Sequence, residues 1–380
     1  MSFVSIMGHH LNSSKSCGNG VRFNANLLQP QKLFILPFAY KQKAKNFDFY
    51  QVNSILIRPT GYALGDSVVN NAYITQLRTI YPNARLGMIV TKNSRTIYAL
   101  NPEINELVEK KFLSFIKQRK RWDILLDMPD AFNTSTVILD KILSPKFTII
   151  FDKKYKPVLN TQEIHNFDIQ TTELENCHTI DFISHSIFKN YFSIPEGKCE
   201  LSLPIKQTSQ VASLWAKDKI RILIAPQGSK RIVPANEIAN LLKNLDKTLI
   251  NHLDILVNVS ADCADEYMKI LTAAEIQPLS IKLMPSMPLN QYLELIQSSD
   301  LVIAVDSGSV HLACALNKPL LCFYANFPKN IARWFAKPNN NVPFIANIPA
   351  TPGTSANDTF GFELTESIIW LNQQLHSLIK

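Results

Sequence analysis

The sequence predicts an α/β protein of two doubly wound domains facing each other across a cleft, on three observations. Short apolar runs alternate with helix-spaced segments along most of the chain, the signature of βα units whose right-handed crossovers build a parallel sheet. The pattern runs twice, interrupted by Pro195-Glu196-Gly197 and Leu203-Pro204. Each half also ends a strand in a loop carrying aspartate and glycine, Pro59-Thr60-Gly61-Tyr62-Ala63-Leu64-Gly65-Asp66 and Asp306-Ser307-Gly308-Ser309-Val310-His311. Ligands of open α/β sheets sit at the carboxyl ends of strands, beside glycines and unpaired helix N–H groups.

In the first half, Ser54–Arg58 and Arg85–Val90 are apolar runs expected as buried strands. Between them Val68, Val69, Ala72, Ile74, Leu77 and Ile80 recur at helical spacing, and Tyr81-Pro82-Asn83 stops that helix. Asp123–Asp127 and Phe147–Phe151 read as further strands, residues 153–176 as an irregular loop, and Ile180–Phe192 as a closing helix.

The second half repeats the design. Ile220–Ala225, Leu253–Val259, Leu301–Val305 and Leu320–Tyr324 read as strands. Helices are expected through Ile238 to Leu242, Asp262 to Ala274 and His311 to Leu316, and Leu289–Ile296 precedes the strand Leu301–Val305. The predicted division is an N-terminal extension (1–50), a first domain (51–200), a second domain (205–350) and a C-terminal helix (351–380) returning to the first domain. Within the extension, His9, His10 and Cys17 lie in a polar tail, and the apolar run Leu33–Tyr40 leads into Lys41, Lys43 and Lys45. That run either packs on the first domain or docks on an anionic membrane surface.

At 380 residues, 46% hydrophobic and 18% charged, the chain is long and apolar enough for two folded domains. Its 39 basic and 31 acidic residues leave a net charge of +8, which favours anionic partners. The six cysteines form no CxxC pair, so Cys314 and Cys322 are expected as buried thiols in a reducing, cytoplasmic setting. There is no run of about 20 apolar residues and no signal-peptide core. GxGxxG, GxxxxGK[ST], HExxH, GxSxG and an Asp-x-Asp triplet are all absent, which argues against NTPases, zinc proteases, serine hydrolases and metal-bridged sugar transfer. The basic residues are dispersed and no base-stacking or groove-reading module is present, so no nucleic-acid partner is expected.

Asp66 stands at a helix start, where a carboxylate caps the helix, and also at the carboxyl edge of the first strand, where chemistry resides. The helix dipole lowers its basicity, so it acts as a base only with help from desolvation and substrate geometry. Asp306 can accept hydrogen bonds from sugar hydroxyls. Gly308 opens a helix whose N–H groups suit a pyrophosphate, with Ser307 and Ser309 as hydroxyl donors and His311 in the first turn. Lys230 and Arg231, at another strand end in the same half, are placed to neutralise a diphosphate.

Together these segments resemble the ADP-heptose:lipopolysaccharide heptosyltransferases, glycosyltransferase family 9. The resemblance rests on Ile55–Arg58 followed by Gly61–Asp66, on Tyr81-Pro82-Asn83-Ala84-Arg85-Leu86, on Asn101-Pro102-Glu103-Ile104, and on Asp306–Leu316, which is similar to D-T-G-x-x-H-L-A-A-A-L with serine for threonine. It implies a GT-B fold, two Rossmann-like doubly wound domains with the active site in the interdomain cleft. The first domain would bind the acceptor and the second the nucleotide sugar. It further implies metal-independent, inverting transfer of a heptose from an ADP-linked donor to a lipooligosaccharide core, with no cofactor and no metal. On that resemblance Asp66 matches the general base, Gly308 and its neighbours the phosphate-binding helix start, Asp306 a donor-sugar contact, and Lys230 or Arg231 the cation at the departing diphosphate. Arg58, Gly61 and Gly65 belong to the acceptor-side loop, with Arg58, Lys41, Lys43 and Lys45 as candidate contacts to acceptor phosphates or membrane. The expected partners are a nucleotide sugar and an anionic glycolipid at the cytoplasmic face of the inner membrane.

The chain departs from the family pattern in three places. Val233 replaces a tryptophan before proline, Ser260-Ala261-Asp262-Cys263 replaces a glycine-rich loop, and Phe323–Pro328 replaces F-G-P-T-D-P. These departures leave two alternatives: the same fold using another nucleotide sugar or a protein acceptor, or a non-catalytic GT-B protein that binds glycan or nucleotide.

Overall fold

Buried parallel strands are apolar on both faces, and this chain's best strand signals are runs of that kind. A computed structural model describes residues 35–128, 132–153, 164–203, 208–274 and 279–379; His9, His10, Cys17, Leu33, Phe34 and Pro204 lie outside them. Its first sheet comprises β1 (Ser54–Arg58), β2 (Arg85–Val90), β3 (Glu106–Glu109), β4 (Ile124–Asp127), β5 (Phe147–Phe151) and β6 (Ile169–Thr171). They pair in the order β3-β2-β1-β4-β5-β6, all parallel. The helices of this half are α1 (Leu64–Val69), α2 (Asn71–Ile80), α3 (Lys92–Tyr98), α4 (Phe112–Lys117) and α5 (Thr134–Leu143).

The second sheet comprises β7 (Ile220–Ala225), β8 (Leu253–Val257), β9 (Ser280–Leu283), β10 (Leu301–Val305), β11 (Leu320–Phe323) and β12 (Phe344–Asn347), in the order β12-β11-β10-β7-β8-β9. Its helices are α6 (Ser209–Ala212), α7 (Ala235–Lys243), α8 (Lys247–Ile250), α9 (Ala261–Ala273), α10 (Leu289–Ser298), α11 (Gly308–Ala315), α12 (Pro328–Trp334) and α13 (Thr365–Leu378). Strand order reverses between β1 and β4 in one sheet and between β7 and β10 in the other. Both loops singled out from the sequence leave strands at these switch points, where the diverging connections open a crevice.

Four expectations are corrected. The helix read across Val68–Ile80 is two helices, broken at Asn70. The Asn70 side chain donates to Thr60 O (3.1 Å) and Asp66 O (2.6 Å) and accepts from Thr60 N–H (3.2 Å), so it ties the Asp66 loop down instead of sitting on a continuous helix face. Residues 153–176 contain β6. Ile180–Phe192 forms two short 3-10 turns, Thr179–Asp181 and Ile187–Asn190, not a helix.

The C-terminal helix α13 stays on the second domain. Leu364, Leu371 and Leu375 enter the core beneath β7, β8 and β10, and His376 pairs with Asp246 at 2.6 Å. The part of the chain that does pack on the first domain is residues 35–50. Phe47 lies tilted against Phe147 with ring centroids 4.5 Å apart, Phe49 meets it edge-on at 5.2 Å, and Ile35 and Ala39 cover Phe132, Val137 and Ile150. Lys41 forms an ion pair with Asp168 there, while Lys43 and Lys45 are exposed.

Candidate active site

The loop after β1 is built around its aspartate. Gly61 adopts φ +70°, and a side-chain Cβ at that position would fall 2.7 Å from Asp66 Cγ, so only glycine leaves room for the carboxylate. Asp66 is the third residue of α1 and accepts the N–H of Ala63 at 3.1 Å. Among the described residues it forms no ion pair. Burial pushes its pKa above the ordinary carboxylate value, and the Ala63 N–H offsets that only in part. Desolvation thus supplies the basicity that the helix dipole withholds. Gly61→Ala is expected to displace this carboxylate and cut turnover by about ten-fold or more, while nucleotide affinity, measured by calorimetry, stays unchanged.

Across the cleft, β7 and β10 bring Arg231 and Asp306 together. Arg231 Nη1 lies 3.0 Å from Asp306 Oδ2 and 2.9 Å from the Asp306 carbonyl; its Nε donates to Ala356 O at 2.5 Å and its Nη2 to Asn330 Oδ1 at 3.2 Å. Asn330 in turn donates to Asp306 Oδ2 at 2.6 Å. Burial raises the Asp306 pKa, against the opposing pull of Arg231 and Asn330. Of the two candidate cations, Arg231 is the one that pairs with Asp306. Lys230 is exposed.

The two glycine-bearing helix starts meet face to face. A Cβ on Gly308 would lie 3.1 Å from Leu64 Cγ and 3.2 Å from Gly65 N, and one on Gly65 would lie 3.0 Å from His311 Cδ2. Gly65 and Gly308 are therefore points of close approach between the domains. Two of the donor-side candidates are packed away in this arrangement. Ser309 is buried and its hydroxyl is engaged with Tyr292 Oη at 2.7 Å. His311 is buried, with Trp334 6.3 Å away ring to ring. Both face inward because an almost wholly apolar helix such as α11 buries every side of itself. Ser307 caps α11 by accepting the Ser309 N–H at 3.3 Å, and both Ser307 and Gly308 remain half-buried.

Burial, with Arg231 nearby, drives the His311 pKa down from 6.5 to about 4. His178, whose Nε2 contacts Phe335 O across the domain interface at 2.8 Å, is likewise lowered to about 4 by burial. Both are neutral in the folded state while the unfolded chain takes up protons below 6.5, so stability is intact above pH 6.5 and lost as pH falls toward 4. Thermal unfolding followed from about pH 7 to about pH 4 is expected to show this decline, and His311→Gln should flatten it.

A cleft of 610 Å³ runs between the domains. Asp66, Gly61 and Thr60 line one wall, and Asn330, Arg333 and Trp334 of α12 line the other. Sequence reasoning missed these α12 residues. Their signal was the strand-end position of Phe327–Trp334 after β11. The first domain grips α12 through Thr179 Oγ1 to Arg333 O (3.0 Å), the Arg333 guanidinium over the Phe182 ring (4.7 Å) and the Lys329–Glu175 ion pair (2.7 Å).

Arg58 is corrected too. It is buried and held by Asp127 (3.1 Å) and Asp140 (2.5 Å), and Lys153 completes the cluster on Asp127 at 2.7 Å. Burial alone would lower its pKa, but the two carboxylates more than offset that. Its role is structural, and it is not available to an acceptor phosphate.

With this geometry in view, comparisons place the chain. The profile of glycosyltransferase family 9 (heptosyltransferase) matches residues 113–361, more than half of its length. It is 24% identical over 326 residues to the lipopolysaccharide core heptosyltransferase OpsX of Haemophilus influenzae, covering 75% of this chain and 88% of that one. Its fold matches a family 9 glycosyl transferase from Veillonella parvula (TM-score 0.66, 14% identity, 88% of this chain and 100% of the other). It also matches the ADP-heptose heptosyltransferase II of E. coli (TM-score 0.62, 18% identity, 86% and 99%). The chain belongs to glycosyltransferase family 9, the heptosyltransferases, and is a glycosyltransferase of GT-B fold.

Proposed function

We propose that this enzyme transfers a heptose from ADP-heptose to a lipopolysaccharide or lipooligosaccharide core, with inversion and without a metal. The observation that carries the reading is a desolvated Asp66, free of ion pairs among the described residues, on one wall of the cleft and Asn330 on the other, where Asn330 is hydrogen-bonded to the Arg231–Asp306 pair behind it. Asp66 takes the proton of the attacking acceptor hydroxyl, whose oxygen forms the new bond to the anomeric carbon as the bond to the diphosphate breaks. Attack from the face opposite the leaving group inverts that centre. Arg231 supplies the positive charge for the departing diphosphate, a task that a metal performs elsewhere. Asp306 and Asn330 position the guanidinium and face the donor sugar. The names of the relatives, a core heptosyltransferase and an ADP-heptose enzyme, support the choice of donor and acceptor. The departure at Phe323–Pro328, of which Phe327 lines the cleft, favours, as a second reading, another nucleotide sugar.

The acceptor would be met at the cytoplasmic face of the inner membrane, with the enzyme attached peripherally. Among the described residues no helix is long and apolar enough to cross a membrane.

The test is incubation with ADP-heptose and a heptose-deficient core oligosaccharide in the presence of a chelator, read by mass spectrometry and anomeric NMR. The reading expects one added heptose with inverted configuration. A need for divalent cation, or retention of configuration, contradicts it. Arg231→Met is expected to weaken ADP binding by about ten- to a hundred-fold, whereas Lys230→Met changes it by less than about two-fold, as titration calorimetry would show.

A further inference from the structure

The edge of the first domain carries an apolar patch that the catalytic reading does not use. Helix α4 turns Phe115 inward, where it is fully buried among Val108, Trp122, Leu125 and Leu143. On its outer side Phe112 is 58% exposed, Leu113 70% and Ile116 46%. Residues three and four apart share a helix face, so these three form one exposed apolar surface.

That surface is framed by positive charge. Residues 110–121 read Lys-Lys-Phe-Leu-Ser-Phe-Ile-Lys-Gln-Arg-Lys-Arg, six basic residues and no acidic one. Lys111, Lys117, Arg119, Lys120 and Arg121 are all exposed. Glu109 is the acidic residue at the helix entrance, and it is already shared by Lys111 (2.6 Å) and Arg95 (3.6 Å). The patch also touches the catalytic loop, because Lys110 Nζ stands 4.4 Å from the ring of Tyr62, between Gly61 and Asp66.

We propose that α4 and its flanking basic residues are a docking surface for an anionic phospholipid bilayer, the apolar trio entering the headgroup boundary and the cations meeting lipid phosphates. The proposal rests on the reading of a lipid-linked acceptor, and it names the surface that brings Asp66 to that acceptor. Charge decides for a bilayer over a second copy of the chain, since a two-fold contact through this patch would set six cations against six. Lysine is also depleted from the centres of protein interfaces, whereas apolar side chains beside lysine and arginine are what interfacial helices use. Three partly inserted side chains give reversible attachment, which suits an enzyme that must leave its product.

The full-length protein would be sedimented with phosphatidylcholine vesicles with and without phosphatidylglycerol. Binding that requires phosphatidylglycerol and falls with added salt is expected. The triple variant Phe112→Gln, Leu113→Gln, Ile116→Gln keeps good helix formers at exposed positions, so folding is preserved, and it should lose about ten-fold or more in vesicle affinity. Lys117→Glu with Lys120→Glu should lose a similar factor, and only on the anionic vesicles. Both variants should keep wild-type turnover on a soluble core oligosaccharide and lose it on vesicle-embedded acceptor. Absence of wild-type binding to anionic vesicles, an unchanged triple variant, or conversion of a wild-type dimer to monomer by the triple variant would each overturn the proposal. Vesicle binding without sugar transfer in any assay would instead count against the catalytic reading and leave the docking surface standing.

Discussion

An Asp66→Asn enzyme is expected to transfer sugar about a hundred- to ten-thousand-fold more slowly than wild type while binding nucleotide with the same affinity. Asparagine keeps the shape of the side chain, so Gly61 and the Ala63 N–H still meet an oxygen-bearing group of the same size. What is lost is the proton acceptor. Nucleotide affinity should be spared because Arg231, Asp306 and Asn330, which we propose hold the donor, belong to the other domain. The pH profile carries the same information. Burial raises the Asp66 pKa, and on the proposed mechanism the ionised form is the active one, so the acid limb of kcat/KM should fall at a higher pH than that of an ordinary aspartate. The Asp66→Asn enzyme should lack that limb. Near-normal turnover in this variant would move the base elsewhere.

Arg58→Met is expected to be the most damaging substitution for stability, on the order of 3–5 kcal/mol, or roughly 10 °C in unfolding temperature. Arg58 joins the carboxyl ends of β1 and β4, paired in register with Asp127, and also reaches Asp140 on α5. Removing it leaves two buried carboxylates with Lys153 as the remaining cation of the cluster. The cost comes from stranding charge that was desolvated as a balanced set, two cations with two anions. Arg58→Lys should recover part of the loss, because it restores the charge without the forked geometry. Differential scanning calorimetry distinguishes this account from an acceptor contact, which would raise KM and leave the unfolding temperature unchanged.

The strands that were legible in the sequence are the central ones. Leu301–Val305 is buried on both faces and reads as an unbroken apolar run, and Ser54–Arg58 and Ile220–Ala225 carry apolar centres broken only by their terminal residues and by a half-buried Arg221. The strands that escaped are short or lie toward the sheet edges, β3, β6, β9 and β12, where polar and apolar residues mix. Asp66, Asp306 and Arg231 stand out in the sequence because strand-end position and residue chemistry coincide there, and the pairing of Arg231 with Asp306 is what the structure adds. The burial of Ser309 and His311 was not legible, because a motif gives the order of residues around a helix start and not the face each one presents, and α11 is packed on all sides. Arg58 was misread because a cation at a strand end has the same signature whether it waits for a phosphate or for Asp127 and Asp140, which are distant in sequence. Asn330, Arg333 and Trp334 carry no motif. Their place in the cleft follows from the packing of α12 against residues 174–182, a tertiary fact.

The central claim is an ADP-linked donor seated on Arg231 in a cleft faced by Asp66. The most direct test is calorimetric titration of the protein with ADP, UDP, GDP and CMP in the presence of a chelator, repeated on Arg231→Met. Selective binding of ADP without metal, lost in the variant, is the predicted result. Preference for another nucleotide, or ADP binding indifferent to Arg231, would contradict it.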